Sequence, residues 1–208
     1  MSPASDDFPY RSLYTFKIID TSKIDFLLHA QARLKNNAKD LSFSLVSPQL
    51  RLDVHKNLTL GFNYTYLNTT VTNSSAEEEF KFHHRLELEF NPHWNLTEYF
   101  KLNIRNRMEF RWIEDKGSDN PRFRSQWTVE FPIKNHEPLK AFYTNSEFFY
   151  DMSDHRYKEN WTVPAGLKFK VNDKTTLSVF YMIQSLLGSD DWSSNQILGS
   201  HLFVSFYN

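Results

Sequence analysis

The feature that most constrains this chain is an alternation of apolar and polar residues, which returns along most of its length. The clearest example is Trp161–Val171, whose polar face includes Lys168 and Lys170. Its apolar face is formed by Trp161, Val163, Ala165, Leu167, Phe169 and Val171. A similar alternation over residues 177–184 follows the short polar link Asn172–Lys174. A period of two predicts β-strands, and the short link predicts a hairpin.

The same pattern predicts eleven strands and no long amphipathic helix. The predicted strands are Leu13–Asp20, Ile24–Leu34, Leu41–Val54, Leu58–Leu67, Glu78–Phe90, Thr97–Trp112, Arg122–Ile133, Leu139–Tyr150, Trp161–Val171, Thr175–Gln184 and Gln196–Tyr207. We expect residues 1–208 to form a single domain. Residues 1–11 are expected to be irregular or a partial strand.

The predicted connections alternate in length. Short polar links such as Asn91–Asn95 alternate with longer ones such as Asn68–Glu77 and Ile113–Pro121. Outer-membrane barrels have short turns at one end and long loops at the other. We therefore predict an all-β fold, a closed antiparallel up-and-down transmembrane β-barrel of 10–12 strands with a polar, charged lumen. Bacterial single-chain barrels have even strand numbers, so an odd count implies a further strand in residues 1–12 or one misjudged segment.

Composition agrees with a barrel and excludes several other classes. Hydrophobic residues make up only 40% of the chain although aromatic residues make up 16%. The aromatic content argues against disorder, and a net charge of -1 argues against a general nucleic-acid binder. No apolar run is long enough for a transmembrane helix, and the lack of cysteine excludes disulfides and thiolate metal sites. The N-terminus has no charged-then-apolar leader, so we expect any export signal to have been removed or never to have existed.

The polar faces of four consecutive strands carry charges of both signs. A dry sandwich core would not tolerate them, because each unpaired buried charge costs several kcal/mol. They could face water on an open sheet, or line a barrel lumen as arginine–carboxylate pairs; the mixed signs and the aromatic opposite face favour the lumen. The predicted lumen network is Arg85, Glu87, Glu89, Arg105, Arg107, Glu109, Arg111, Arg122, Arg124, Glu130 and Glu147. The arginines and glutamates of this network are nearly equal in number, which predicts a lumen filled by ion pairs. Removing one partner would leave an uncompensated charge, so Glu147→Ala should destabilise the barrel more than the loop change Asp190→Ala.

The apolar faces are expected to form an outer wall in contact with lipid. The residues assigned to this wall are Leu86, Leu88, Phe110, Trp127, Val129, Leu167, Phe169, Leu177, Val179, Leu202, Val204 and Phe206. Aromatic residues near predicted strand ends are typical of interfacial girdles, although strands are rich in aromatic residues in any case. They are Tyr64, Tyr66, Trp94, Tyr99, Trp112, Phe148, Phe149, Tyr150, Trp161, Trp192, Phe206 and Tyr207.

Several strands carry motifs that resemble a known family. The motifs are Arg105–Trp112, Arg122–Arg124 leading to Phe131–Ile133, Asn145–Phe149, and the terminal strand His201–Tyr207. Together they resemble the bacterial outer-membrane barrel family catalogued as domain of unknown function 2490, over roughly residues 80–207. That family pairs an Arg-x-Arg strand, ending in an aromatic-Pro-Leu turn, with an Asn-x-Glu-Phe strand. The resemblance implies a barrel in the bacterial outer membrane and supplies no activity or ligand.

Motifs for catalysis are absent from the sequence, and we expect no catalytic residue, no metal site and no cofactor. The adjacent pair His83 and His84 would point to opposite faces of a strand and could not bind one metal together. An outer-membrane enzyme acting on lipid or lipopolysaccharide remains an alternative, with His201 and either Ser200 or Ser205 as its candidate groups.

The favoured function is that of a non-enzymatic outer-membrane barrel, either a structural wall or a narrow or gated pore. The expected partners are the lipid bilayer, lipopolysaccharide and the outer-membrane assembly machinery, with no nucleic acid. A soluble ligand-carrying barrel such as a lipocalin is a third possibility, but it would use about eight strands.

Overall fold

Eleven consecutive β-strands form a closed barrel in the computed structural model, which describes residues 9–72, 77–188 and 191–207. The strands are β1 (Tyr10–Asp20), β2 (Ile24–Lys35), β3 (Asp40–His55), β4 (Leu58–Thr72), β5 (Glu78–Thr97), β6 (Phe100–Ile113), β7 (Gly117–Pro132), β8 (Leu139–Asp151), β9 (Arg156–Asn172), β10 (Thr175–Leu187) and β11 (Trp192–Ser205). Each strand pairs with its neighbours in the sequence, and β1 pairs with β11. The predicted closed all-β barrel of 10–12 strands is confirmed.

The barrel closes through a parallel pair. When an odd number of strands runs up and down, the first and last strands point the same way, so β1 and β11 pair in parallel with Tyr10 opposite Leu198 and Lys17 opposite Ser205. The other ten neighbouring pairs are antiparallel. We expected an even number of strands with antiparallel pairing throughout. The number is odd, and the pairing of β1 with β11 is therefore parallel. Residues 10 and 11 already belong to β1, while residues 1–8 lie outside the described part of the chain.

Several strands run further than their hydrophobic pattern predicts. β5 continues through the predicted turn at residues 91–95 as far as Thr97. β4 extends to Thr72 and β7 begins at Gly117, so much of the two predicted long loops is strand. Backbone groups form the ladder hydrogen bonds, so polar residues can extend a strand as well as apolar ones.

The two ends of the barrel are named by their links. We call the end with the links after β2, β4, β6, β8 and β10 the loop end, and the other the turn end.

An irregularity in β9 reverses the face expected for its first half. Tyr181 of β10 pairs with Ala165, whereas Ile183 pairs with Thr162, so β9 has one more residue here than β10. Such a bulge turns the side chains beyond it to the opposite face. Trp161 and Val163 therefore point inward and are 7% and 4% exposed, so their predicted place on one apolar face with Leu167–Val171 was wrong.

A second correction concerns Phe149, which was predicted to belong to an interfacial girdle. It is only 1% exposed, because it alternates with the outward Phe148 and follows the inward Glu147 on β8. Phe149 and Trp161 instead belong to an interior apolar cluster from β8 to β11. The cluster contains Phe149, Trp161, Val163, Phe180, Met182 and Ile197.

Glycines make room for large inward side chains. Gly199 lies opposite Phe180, and Gly166 lies opposite Tyr143. A Cβ added to Gly199 would lie 2.3 Å from Cζ of Phe180, and one added to Gly166 would lie 2.3 Å from Cζ of Tyr143. The rings therefore fold over bare backbone on the neighbouring strand. This close approach lets a narrow barrel hold aromatic residues in its interior.

The outer surface carries the residues that were assigned to the wall. Five of them are exposed, namely Leu88, Trp127, Leu167, Val179 and Phe206. The other seven are partly exposed between neighbouring side chains. The barrel therefore exposes many apolar side chains on its outer surface, while its interior holds buried charges beside the apolar cluster.

Candidate functional site

A continuous network of ion pairs covers the interior wall formed by β3 to β8. Every second residue of each strand points inward, and the register sets acidic side chains beside basic ones. The network contains Arg51, Glu87, Glu89, Arg105, Arg107, Glu109, Arg122, Arg124 and Glu147. We refer to these residues as the ion-pair network.

Arg107 joins the two glutamates of β5. Its Nε lies 2.7 Å from Oε1 of Glu89, and its Nη1 lies 3.0 Å from Oε2 of Glu87. Arg51 reaches Glu89 from β3, with Nη2 3.1 Å from Oε2. Asn63 donates from Nδ2 to Glu87 at 3.1 Å and to Glu89 at 3.0 Å. Several donors thus compensate the two buried carboxylates, which offsets the cost of removing them from water.

The next part of the network joins β6, β7 and β8. Arg124 donates from Nη1 to Oε1 of Glu109 at 2.5 Å, and its Nη2 lies 2.8 Å from Oε1 of Glu147. Arg122 donates to the other oxygen of Glu109, and Arg105 reaches Glu147 at 2.9 Å. Glu109 and Glu147 are 0% and 1% exposed. Each of these buried carboxylates therefore accepts from two guanidinium groups.

Three of the residues predicted for the lumen network have other surroundings. Arg111 pairs with Asp119 at 2.7 Å, outside the ion-pair network. Glu130 pairs with Lys168 and not with an arginine. Arg85 lines the interior but has no carboxylate partner within the described ranges. The structure brings the other predicted residues together.

Sequence reasoning missed several interior residues. Arg51 and Asn63 lie on β3 and β4, outside the four strands whose charged faces were recognised, and Arg11 lies in a segment expected to be irregular. Arg33 lies on the inward face of β2, two residues after Gln31. The signal that could have found Arg33 and Arg51 is the same alternation that found the charges of β5 to β7.

Trp161 lies where three guanidinium groups meet. Arg11, Arg33 and Arg124 lie 4.5, 4.7 and 5.5 Å from the centroid of its ring system. Its Nε1 donates to Oε1 of Glu159 at 2.5 Å. A cation over an aromatic face is attracted by the ring quadrupole, and more strongly where water is excluded. Trp161 thus connects the ion-pair network to the apolar cluster.

Between these groups lies a partly open cavity of about 540 Å³. Arginine side chains from β1, β2, β5, β6 and β7 line it, together with Trp161 and Phe180. A cavity of this volume is in the range that holds small ligands. Most of the remaining cross-section is occupied by side chains.

The histidine of the enzyme alternative lies in this interior. Thr15 Oγ1 lies 2.9 Å from Nε2 of His201 and 2.9 Å from Nδ1 of His29. The Ser200 hydroxyl is hydrogen-bonded to the Tyr10 hydroxyl at 2.6 Å, and the Ser205 hydroxyl donates to a backbone carbonyl. Neither serine is therefore bonded to His201.

Ion pairs also join the links at each rim. At the turn end, Lys134 donates to Glu98 and lowers the pKa of that carboxyl group. At the loop end, a hydrogen bond from Lys158 lowers the pKa of Asp154. Such exposed pairs contribute little to stability, because solvent screens them.

Within residues 9–72, 77–188 and 191–207, no group of three or more histidine, aspartate or glutamate side chains is arranged to hold a metal ion. The same ranges contain no helix long and apolar enough to cross a membrane.

The fold and its interior define the class of this protein as a closed β-barrel with buried charges in its lumen. A family model described as "Protein of unknown function (DUF2490)" matches residues 11–195, and the chain belongs to this family. The family predicted from the sequence motifs is confirmed. No curated protein and no solved structure matches the chain.

Proposed function

We propose that this protein is a non-enzymatic barrel of the bacterial outer membrane that forms a structural wall around a nearly closed lumen. The observation that carries the proposal is the apolar outer surface. Exposed aromatic and aliphatic residues follow the strands around the barrel; they include Leu60, Phe62, Tyr64, Tyr66, Phe80, Phe82, Leu88, Phe90, Trp112, Trp127, Phe148, Leu167, Val179 and Leu198. Soluble monomers rarely expose contiguous apolar surface of this extent, whereas a lipid-facing wall requires it.

Polar side chains on the outer surface support the same proposal, because they bond to each other. Ser125 donates to Asn106 at 2.8 Å and accepts from Nε1 of Trp127 at 3.0 Å. Asn160 donates to Ser146 at 3.0 Å, and Thr162 donates to Asn160 at 2.8 Å. Lipid tails offer no hydrogen bonds, so a polar group in the wall must find its partner within the protein.

Exposed aromatic residues near both ends are typical of interfacial girdles. Trp112, Tyr157 and Trp192 lie near the loop end, and Trp94, Tyr99 and Tyr207 lie near the turn end. The shortest strand, β1, has 11 residues, and a tilted transmembrane strand needs about 9–11. Every strand is therefore long enough to cross a bilayer.

The filled interior favours a wall over an open pore. Barrels with wide aqueous channels have 16–18 strands, whereas this interior is occupied by the ion-pair network and the apolar cluster. The cavity of about 540 Å³ is the space that remains. A narrow or gated pore is the second form of the same proposal, and it requires movement of these side chains.

Membrane location is tested by expressing the chain behind an export signal in a Gram-negative bacterium and separating the inner membrane, outer membrane and periplasm. We expect the folded protein in the outer-membrane fraction, extracted only by detergent. Folding is followed by the change in electrophoretic mobility between unheated and boiled samples. Recovery of folded, detergent-free protein from the periplasm would contradict the proposal.

The state of the lumen is tested by recording from the purified protein in a planar bilayer. The wild-type protein should give no large, stable unitary current. Trp161→Ala should increase the frequency of current events because it removes side-chain volume beside the cavity, while Trp127→Ala on the outer surface should not. Large, stable currents from the wild type would make the protein an open porin.

A further inference from the structure

Three arginines in the barrel interior have no carboxylate partner within the described parts of the chain. They are Arg11, Arg33 and Arg85, and each has a buried Nε without a hydrogen-bond partner. Arg11 donates only to the uncharged Gln31 and, at 3.6 Å, to the sulfur of Met182. By contrast, every arginine of the ion-pair network contacts a glutamate. The three arginines therefore stand apart from that network.

Two of these cations lie directly opposite each other. Arg11 of β1 and Arg33 of β2 are partners in the strand register, and both guanidinium groups contact the ring of Trp161. Like charges at opposed positions destabilise a sheet, and a buried charge without a partner costs more than a paired one. Contacts with Trp161 and Phe43 offset only part of this cost. The opposed guanidinium groups thus favour a negatively charged partner between them.

The carboxylate that faces these arginines from β9 is already engaged. Glu159 accepts from Nε1 of Trp161 and, at 2.6 Å, from Nε2 of Gln184. Its other oxygen lies 3.7 Å from Arg122. Glu159 carries a single negative charge and can therefore offset at most one of the two opposed arginines.

The charges that line the cavity are unequal. Its lining includes seven arginines and one lysine, against four glutamates. Glu89 and Glu109 bond to lining arginines from the side, and even with these two the cations remain in excess. An excess of two positive charges therefore remains, and it falls on Arg11, Arg33 and Arg85, which make no ion pair in the described part of the chain. A cleft or cavity lined by charges of one sign concentrates the electric field on an ion that enters it.

We propose that this cavity binds a small oxyanion with two or more negative charges, held by the guanidinium groups of Arg11, Arg33 and Arg85. Guanidinium forks match the oxygens of phosphate and carboxylate groups and bind them through two parallel hydrogen bonds. A cavity of about 540 Å³ admits such a ligand with several water molecules. The ligand supplies the negative charge that the protein lacks there. The proposal goes beyond the wall function and depends on the barrel interior, whichever membrane or compartment holds the protein.

Calorimetric titration of the full chain in zwitterionic detergent tests the proposal, with pyrophosphate and citrate as separate probes. We expect one binding site for at least one probe, and the stronger probe identifies the phosphate or carboxylate class. Each variant loses a hydrogen bond between charged groups, so Arg33→Gln and Arg85→Gln should each weaken binding about tenfold or more. Arg156→Gln is the matched control, because it removes one exposed arginine at the loop end and should leave binding unchanged.

Unfolding by denaturant without added anion separates binding from a structural role. Removing an uncompensated charge should leave the midpoint unchanged or raise it. Arg85 contacts no aromatic ring within the described residues, so Arg85→Gln keeps the test valid if Arg33→Gln fails to fold. The proposal is overturned if neither probe binds, or if sodium chloride at equal ionic strength displaces them completely. It is also overturned if the variants lose stability but bind the probes as tightly as the wild type.

Discussion

Arg122 binds the carboxylate of Glu109 through two donors, with Nε and Nη2 lying 2.9 and 2.7 Å from the same oxygen. The two residues are register partners on β6 and β7, so the pairing follows directly from strand alignment. The second oxygen of Glu109 accepts from Arg124. A fully buried carboxylate is tolerated here because both of its oxygens are bonded to cations. Loss of either arginine would therefore leave a buried oxygen of Glu109 without its cation and destabilise this part of the interior wall.

Glu147→Ala should destabilise the barrel by about 3–5 kcal/mol. The change leaves Arg105 and Arg124 without the carboxylate that each contacts at 2.9 and 2.8 Å. Unfolding by urea in detergent, followed by tryptophan fluorescence, measures the free energy of unfolding.

The matched control for Glu147→Ala is Asp173→Ala. Asp173 is 91% exposed and pairs with Lys170 at 2.8 Å, so solvent screens this pair and its removal should change stability far less than Glu147→Ala does. Asp190, which the sequence suggested for this comparison, lies outside the described residues. Equal losses of stability in the two variants would contradict a paired, desolvated interior.

Gly199→Ala should destabilise the barrel by about 1–3 kcal/mol, because the new methyl group overlaps the ring of Phe180. The double variant Gly199→Ala, Phe180→Leu should lose less stability than the sum of the two single variants, since the smaller side chain relieves the overlap. Urea unfolding of all four proteins gives the coupling energy. Additive losses would mean that the close approach of this ring to β11 is not a constraint.

The eleven strands were predictable from the sequence because alternation reports directly which residues form a strand. Their exact ends were not, since polar residues such as those near Thr72 and Gly117 pair through the backbone alone. The parallel seam between β1 and β11 follows from counting strands. Sequence rules drawn from even-numbered barrels argued against that count, although the count itself was right.

The interior was predictable only in part. Alternation identified the glutamates and arginines of β5 to β8 as one charged surface. It did not identify Trp161 as an inward residue, because the bulge between Ala165 and Thr162 depends on pairing with β10. It also did not reveal that Arg11 and Arg33 are opposed, since that contact depends on the register of β1 and β2.

Leu88→Arg should cost roughly 2–4 kcal/mol if Leu88 lies near the middle of a bilayer. Leu88 is 46% exposed on the outer surface, so the substitution does not disturb interior packing. The free energy of unfolding is compared in lipid vesicles. His136→Arg in the link between β7 and β8 is the control, and it should change stability little because this link lies at the turn end. A small effect of Leu88→Arg in vesicles would argue against a lipid-facing wall.

Trp161→Ala should cost about 3–5 kcal/mol, the usual range when a large buried aromatic side chain is truncated. The change removes the ring that contacts Arg11, Arg33 and Arg124, and it leaves Glu159 without its indole donor. Trp161→Phe helps to separate these two contributions, because it removes the donor but keeps a smaller aromatic ring that can still contact the cations. We expect Trp161→Phe to lose less than half of the free energy of unfolding that Trp161→Ala loses. If both variants lost the same free energy in urea unfolding, the hydrogen bond to Glu159, and not the contact with three cations, would be the principal role of this residue.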